Sequence, residues 1–168
     1  MTDQIDIRPT TGADLPAIDA LLRESYPVLL KPHYAPSVLV TALPLISRAQ
    51  PALLQAGTYF MAEDGQGRAL AAGGWTHSAP QGGVGPRDMG HIRHVVTHPQ
   101  ATRRGIATLL LQKTLCSAFK AGMTRLQCQS TLTAVPFYKT LGFRALGEIE
   151  ITLRPGIVFP ALQMERSL

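Results

Sequence analysis

Residues 91–121 carry a strand, a turn and a helix in immediate succession, and this junction narrows the fold more than any other stretch. Residues 91–97, HIRHVVT, have the composition of a buried strand. Residues 98–105, HPQATRRG, form a basic turn that ends on Gly105. A helical pattern then runs to about Ala121, with Ile106, Leu110 and Phe119 on its apolar side and Thr108, Gln112, Lys113, Ser117 and Lys120 along its polar stripe. Gly122 is its natural stop.

The rest of the chain alternates in the same way. Residues 5–8 alternate like a strand, and a helix opens near Thr11 or Asp14, either of which can cap it. Pro16 must lie in its first turn, and Ile18, Leu21 and Leu22 form its apolar face. Pro27, Pro32 and Pro36 are expected to break up the next stretch, with a second helix over residues 37–47 that Pro44 kinks or delays. Strands are expected over 58–63 and 69–77 around the hairpin signal Asp64-Gly65-Gln66-Gly67. Residues 79–88, rich in Gly and Pro, read as a loop. A strand over 126–129, a short helix over 133–141 and strands over 143–153 and 158–166 complete the chain. The order β, α, α, β, β, β, α, β, α, β, β argues for an α/β sheet covered on both faces.

The length of 168 residues suits one domain, residues 1–168, and the 45% apolar content allows a core without metals or disulfides. No apolar run reaches the ~18 residues that span a bilayer. The start, MTDQIDIRPT, has no apolar core of a signal peptide. Cys116 and Cys128 form no CxxC pair, so buried free thiols, no bound metal and a cytoplasmic setting are expected.

Charge is distributed unevenly. Residues 89–147 contain no Asp or Glu but include Arg93, Arg103, Arg104, Lys113, Lys120, Arg125, Lys139 and Arg144. Such a segment favours a polyanion, either a nucleic acid or a phosphorylated cofactor. Nucleic-acid binding needs exposed aromatics among the basic residues, whereas Phe119, Phe137, Tyr138 and Phe143 fall mostly at packed or motif positions. No nucleic-acid partner is therefore expected.

The basic turn suits a diphosphate. The first amides of a helix have no internal partner, and the helix dipole adds partial positive charge. Gly105 lets the backbone approach a phosphate, Ala107 is small, and Arg103 and Arg104 add full charges. Neither a P-loop nor a GxGxxG fingerprint is present.

These residues carry a resemblance. Thr102-Arg103-Arg104-Gly105-Ile106-Ala107 resembles the acetyl-CoA pyrophosphate loop of the GNAT superfamily, Q/R-x-x-G-x-G/A. Val95-Val96-Thr97-His98-Pro99 is similar to the end of that family's fourth strand. Residues 134–143, AVPFYKTLGF, resemble its A-x-x-F-Y-x-x-x-G-F motif. The likeness covers nearly the whole chain. It implies a single-domain α/β fold with a mixed, mostly antiparallel twisted sheet of about seven strands, helices on both faces and a splay between strands four and five. It implies an N-acetyltransferase that uses acetyl-CoA. Val95 and Thr97 would contact the pantetheine arm through backbone groups, and amides from Arg103, Arg104, Gly105, Ile106, Ala107 and Thr108 would hold the pyrophosphate. An amide near Val96 would serve the oxyanion, and Phe137 belongs to the same donor site. Two positions depart from the pattern. Thr102 replaces the usual Gln or Arg, and Thr131 stands where many members have Asn, so Thr131 or Thr133 would supply a hydroxyl.

The implied reaction is attack by a neutral amine on a thioester. Deprotonating an amine of pKa ~10.4 at pH 7 costs roughly 4–5 kcal/mol. Tyr138, of the F-Y pair, is the candidate acid. His91 is the candidate base, since an imidazole titrates near 6.5; Glu63 and His77 are alternatives, and His91 is equally compatible with a structural role. An ideal strand puts His91, Arg93, Val95 and Thr97 on one face and His94 on the other. The acceptor pocket is expected around the first helix–helix connection and the end of the third strand, with Tyr26, Tyr34, Trp75 and His77 as lining candidates. A small-molecule amine is favoured over a peptide amine. No membrane partner is expected, and either a monomer or a homodimer is expected. The rival reading is a non-catalytic acyl-CoA-binding module on the same fold.

Overall fold

The computed structural model describes residues 4–83 and 85–168. Residue 84, within the loop expected over 79–88, and residues 1–3 of the N-terminal stretch lie outside the described residues. Among the described residues, one sheet has the order β1-β2-β3-β4-β5-β7-β6. Its strands are β1 (Asp6–Pro9), β2 (Tyr59–Glu63), β3 (Ala69–Thr76), β4 (Met89–Thr97), β5 (Arg125–Ser130), β6 (Arg144–Arg154) and β7 (Ile157–Ser167). The helices are α1 (Leu15–Leu30), α2 (Pro36–Ile46), α3 (Pro51–Leu54), α4 (Ile106–Lys120) and α5 (Val135–Thr140). Neighbouring strands are antiparallel except β4 and β5, which are parallel and joined by the α4 crossover. None of the described helices is long and apolar enough to cross a membrane.

Strand alternation divides the core into two layers. Tyr59, Met61, Ala72, Val96 and Phe159 pack beneath α1, α2 and α3, against Ile18, Leu22, Leu30 and Leu54. Their sequence neighbours face the other way. Phe60, Ala62 and Ala71 meet Ile106 and Leu110 of α4, while Trp75, Ile92, Leu126, Cys128 and Met164 meet Leu111, Leu115 and Tyr138. Helices therefore cover both faces.

Local signals explain most boundaries. Thr11 and Asp14 form a reciprocal capping box, and Pro16 sits in the first turn of α1. The Asp64 carboxylate accepts from the amides of Gln66 and Arg68 and closes the β2–β3 hairpin. Pro27 does not break the chain as expected, because α1 runs through it to Leu30. Its ring is exposed, so the lost bond lies on the solvent side, and buried Tyr26 and Leu30 hold the helix to the sheet. A proline there costs about 3 kcal/mol, which this packing offsets.

One expectation about β4 is corrected. The β3–β4 register jumps between Ala72↔Val96 and Gly74↔Arg93, so Gly73 alone faces both His94 and Val95. This is a β-bulge, with His94 at φ 42°. The Tyr59 hydroxyl donates to the His94 carbonyl at 2.9 Å and pins it. The extra residue reverses the alternation. His91 and Arg93 share their face with Val96, while Val95 and Thr97 lie on the α4 face.

The β4–β5 ladder is short. It contains Met89↔Arg125, Gly90↔Leu126 and His91↔Gln127, and past that point the two strands part. Main-chain groups of residues 92–97 that point toward β5 therefore have no strand partner there.

Gly74 marks a close approach of β2 to β3. A methyl group on it would overlap the Thr58 carbonyl oxygen and the Tyr59 Cα, both backbone. Gly74→Ala is expected to lower stability by at least about 3 kcal/mol in urea denaturation. Gly65→Ala has open space around it and is expected to change stability by less than about 0.5 kcal/mol.

Candidate active site

The start of α4 is exposed and carries no side-chain cap. Thr102 is extended, Arg103 has φ 60°, and Gly105, the residue capping the helix, has φ 77°. Two left-handed residues bend the chain so that the first amides of α4 turn outward together. No side chain caps these amides and the first turn holds no acid. Arg103, Arg104 and Gly105 are exposed, whereas the Ile106 side chain is buried beneath the helix and anchors it. The Thr102 hydroxyl donates to the Pro99 carbonyl at 3.1 Å and stiffens the turn.

A cavity of about 160 Å³ opens beside this helix start, where β4 and β5 part. Tyr26, Leu29 and Leu30 of α1 form one wall, and Val95, Val96 and Thr97 of β4 a second. Thr102 and Ala107 lie toward the turn, and Thr131, Thr133, Ala134 and Phe137 close the far side. Three separate stretches of sequence thus meet around one space. The Thr131 side chain accepts from the Ala134 amide at 3.2 Å, and so caps the approach to α5.

Tyr138 lies behind this wall. Its ring is buried between Phe137 and Phe143, with centroid distances of 5.4 and 5.3 Å. Burial, together with the adjacent Cys128 thiol, holds its phenol well above the usual tyrosine range. Burial pushes the Cys128 thiol up to about 12. Both groups are neutral at pH 7, and a neutral phenol can donate a proton. Tyr26 and Tyr59 belong to the opposite core layer.

His91 is buried at the last β4–β5 pair, opposite Thr76 on β3. Burial, reinforced by the Arg93 charge, lowers its pKa, so it is neutral at pH 7. His94, on the bulge, is pushed down to about 4, mainly by burial. Its Nε2 lies 3.3 Å from the Gln50 amide nitrogen and must accept there, which assigns the ring proton to Nδ1. Arg93 donates from Nη1 to Thr76 Oγ1 at 3.1 Å and from Nη2 to Gln50 Oε1 at 2.9 Å.

The acceptor candidates separate. Tyr26 lines the cavity. Tyr34 stacks on Phe159 at 4.5 Å, donates to the Pro160 carbonyl at 2.7 Å and accepts from the Leu132 amide at 2.9 Å, so it ties α1's end to β7 and the approach to α5. Trp75 does not reach the α1 side. It is fully buried beneath α4, where Nε1 donates to Ser117 Oγ at 3.0 Å. The parity of β3 decides this, because Trp75 is one residue out of phase with Gly74 and Thr76. His77 is exposed, with its ring 4.9 Å from that of Trp75. Glu63 is ion-paired with Arg8 at 3.1 Å on the β1–β2 side of the sheet, away from the fork. Sequence reasoning placed Arg93 on the His91 face but did not assign Tyr59, Cys128 or Gln50 to this region. Arg93 was legible from its spacing to His91, but Gln50 carries no local signal.

The acetyltransferase (GNAT) domain model matches residues 58–166. No curated protein matches the sequence. Among solved structures, a GCN5-related N-acetyltransferase from Rhodopseudomonas palustris superposes with TM-score 0.76 at 19% identity, covering 100% of this chain and 99% of its own. PaiA N-acetyltransferase from Thermoplasma acidophilum, in complex with coenzyme A, gives 0.73 at 14% identity, covering 98% and 99%. N-acetylglutamate synthase from Neisseria gonorrhoeae, complexed with coenzyme A and N-acetyl-glutamate, gives 0.65 at 20% identity, covering 100% of this chain but 36% of its own. These likenesses establish the fold, and the domain match spans β2 to β7, well over half the sequence: the chain belongs to the GNAT acetyltransferase family.

Proposed function

We propose that the protein transfers an acetyl group from acetyl-CoA to a primary amine by direct attack while both substrates are bound. The observation that carries this reading is the cavity at the β4–β5 fork, bordered by a helix start with neither a side-chain cap nor an acid. A diphosphate fits those amides, with Arg103 and Arg104 at its edge. A slender apolar arm fits the slot between β4 and Phe137, where Val95 and Thr97 offer main-chain groups freed by the parting strands. The coenzyme A complexes of the Thermoplasma and Neisseria proteins are consistent with this donor.

Acetyl-CoA supplies the acetyl group as a thioester. The amine nitrogen bonds to the carbonyl carbon and the C–S bond breaks. His91 takes the proton that the amine loses, and Tyr138 returns a proton to the departing sulfur. An amide and a free thiol result, and solvent restores both side chains. An amide near Val96 steadies the oxyanion.

A screen of amines with acetyl-CoA, read by release of free thiol, tests the reading. Thiol release that depends on one amine class supports it. Coenzyme A binding without release for any amine would replace it with a non-catalytic acyl-CoA-binding module.

The base assignment makes a pH prediction. A base must be unprotonated, and burial keeps His91 neutral to lower pH than an ordinary histidine. With rates plotted against free amine, the acidic limb of kcat/KM is expected below pH ~6.5, the ordinary histidine value. His91→Ala is expected to lose that limb and about a hundredfold in rate. An unchanged profile in the variant would remove His91 from the chemistry.

A further inference from the structure

Among the described residues, Arg93 is a half-buried cation without an acidic partner. No described Asp or Glu forms a salt bridge with it. Its partners, Thr76 and Gln50, are neutral, and its Nε is buried without any partner. Residues 89–147 offer no acid, Glu63 is held by Arg8, and Glu165 is held by Arg125 and Arg144. A guanidinium that loses water and gains no anion is a costly arrangement unless an anion arrives from outside.

Its position is specific. Arg93 reaches Thr76, which pairs with His91 across β3 and β4, so the guanidinium lies on the His91 face beside that pair. The Gln50 contact is exposed. An arginine has five N–H groups, so both terminal nitrogens keep one to spare after bonding Thr76 and Gln50. The two oxygens of a carboxylate match two such donors.

We propose that Arg93 receives the carboxylate of the acceptor, which is therefore a small amino acid with its amine beside His91. This rests on the acetyl-transfer reading above. His91 and Arg93 are two residues apart on one face of a strand, about 6.6 Å along it. A molecule that bridges them is short, which excludes polyamines and polypeptide N-termini with a distant carboxylate. A bound carboxylate also offsets the positive charge that disfavours protonation of His91, and so strengthens the base when substrate is present.

The test is thermal denaturation of the protein saturated with coenzyme A, scanned against the standard amino acids and then against the amide of each one that raises Tm. At least one amino acid is expected to raise Tm, and its amide is not. Arg93→Gln is expected to abolish the shift, and Arg93→Lys, which keeps the charge but loses the fork, to reduce it. Thiol release should favour the acid over its amide by roughly ten- to hundredfold in kcat/KM. The proposal is overturned if no amino acid shifts Tm, if the amide shifts it equally, or if the shift survives in Arg93→Gln. Should Arg93→Gln fail to fold, an undiminished shift in Arg93→Lys overturns it. Amino-acid binding that depends on Arg93, without thiol release for any amine, would keep the carboxylate site at Arg93 but overturn both acetyl transfer and the amino acid's place as acceptor.

Discussion

Ala107→Glu is expected to weaken coenzyme A binding at least about a hundredfold while leaving Tm unchanged or slightly raised. Ala107 lies in the first turn of α4 and lines the cavity. A carboxylate there stabilises the helix itself, because the N-terminal end of the dipole is positive, by about 0.3–1 kcal/mol. The same charge faces any diphosphate cradled by the adjacent amides. Two like charges 4 Å apart near a protein surface repel by about 4 kcal/mol, more than the 2.7 kcal/mol that a hundredfold requires. The two effects have opposite signs, so calorimetric titration with coenzyme A and a melting curve separate lost binding from lost folding. Affinity within about threefold of the parent protein would show that the donor does not use this helix start.

Tyr138→Phe is expected to lower kcat about ten- to a thousandfold with little change in the affinity for acetyl-CoA. The ring would remain packed between Phe137 and Phe143, so the binding wall is preserved. Only the hydroxyl is lost, and with it the neutral phenol proposed as the proton donor to the leaving thiolate. The expected signature is a fall in kcat that single-turnover measurements also show, since the deficit lies in the chemical step. Parental turnover in this variant would leave Tyr138 a packing residue beside Cys128.

The elements that the sequence revealed most clearly are those governed by neighbouring residues. The Thr11–Asp14 box, the Asp64 hairpin, the Gly105 helix start and the Gly122 stop all depend on contacts within a few positions, so composition and spacing carry them. The basic turn before α4 was legible for the same reason. Pro27 was misread because its consequence depends on which side of α1 it occupies, and the sheet decides that. Trp75 was misplaced because one step of strand parity sends a side chain to the opposite layer.

What the chain determined alone is therefore the succession of strands and helices, the acid-free basic segment and the open helix start, each set by local backbone preference and charge. Tertiary structure decided the rest. The β4 bulge, pinned by Tyr59 from another strand, chose which side chains stand with His91. The end of the β4–β5 ladder opened the cavity. Gln50 met Arg93 across 43 positions of sequence. Such juxtapositions depend on register and on packing between distant segments, and short-range pattern contains no information about either.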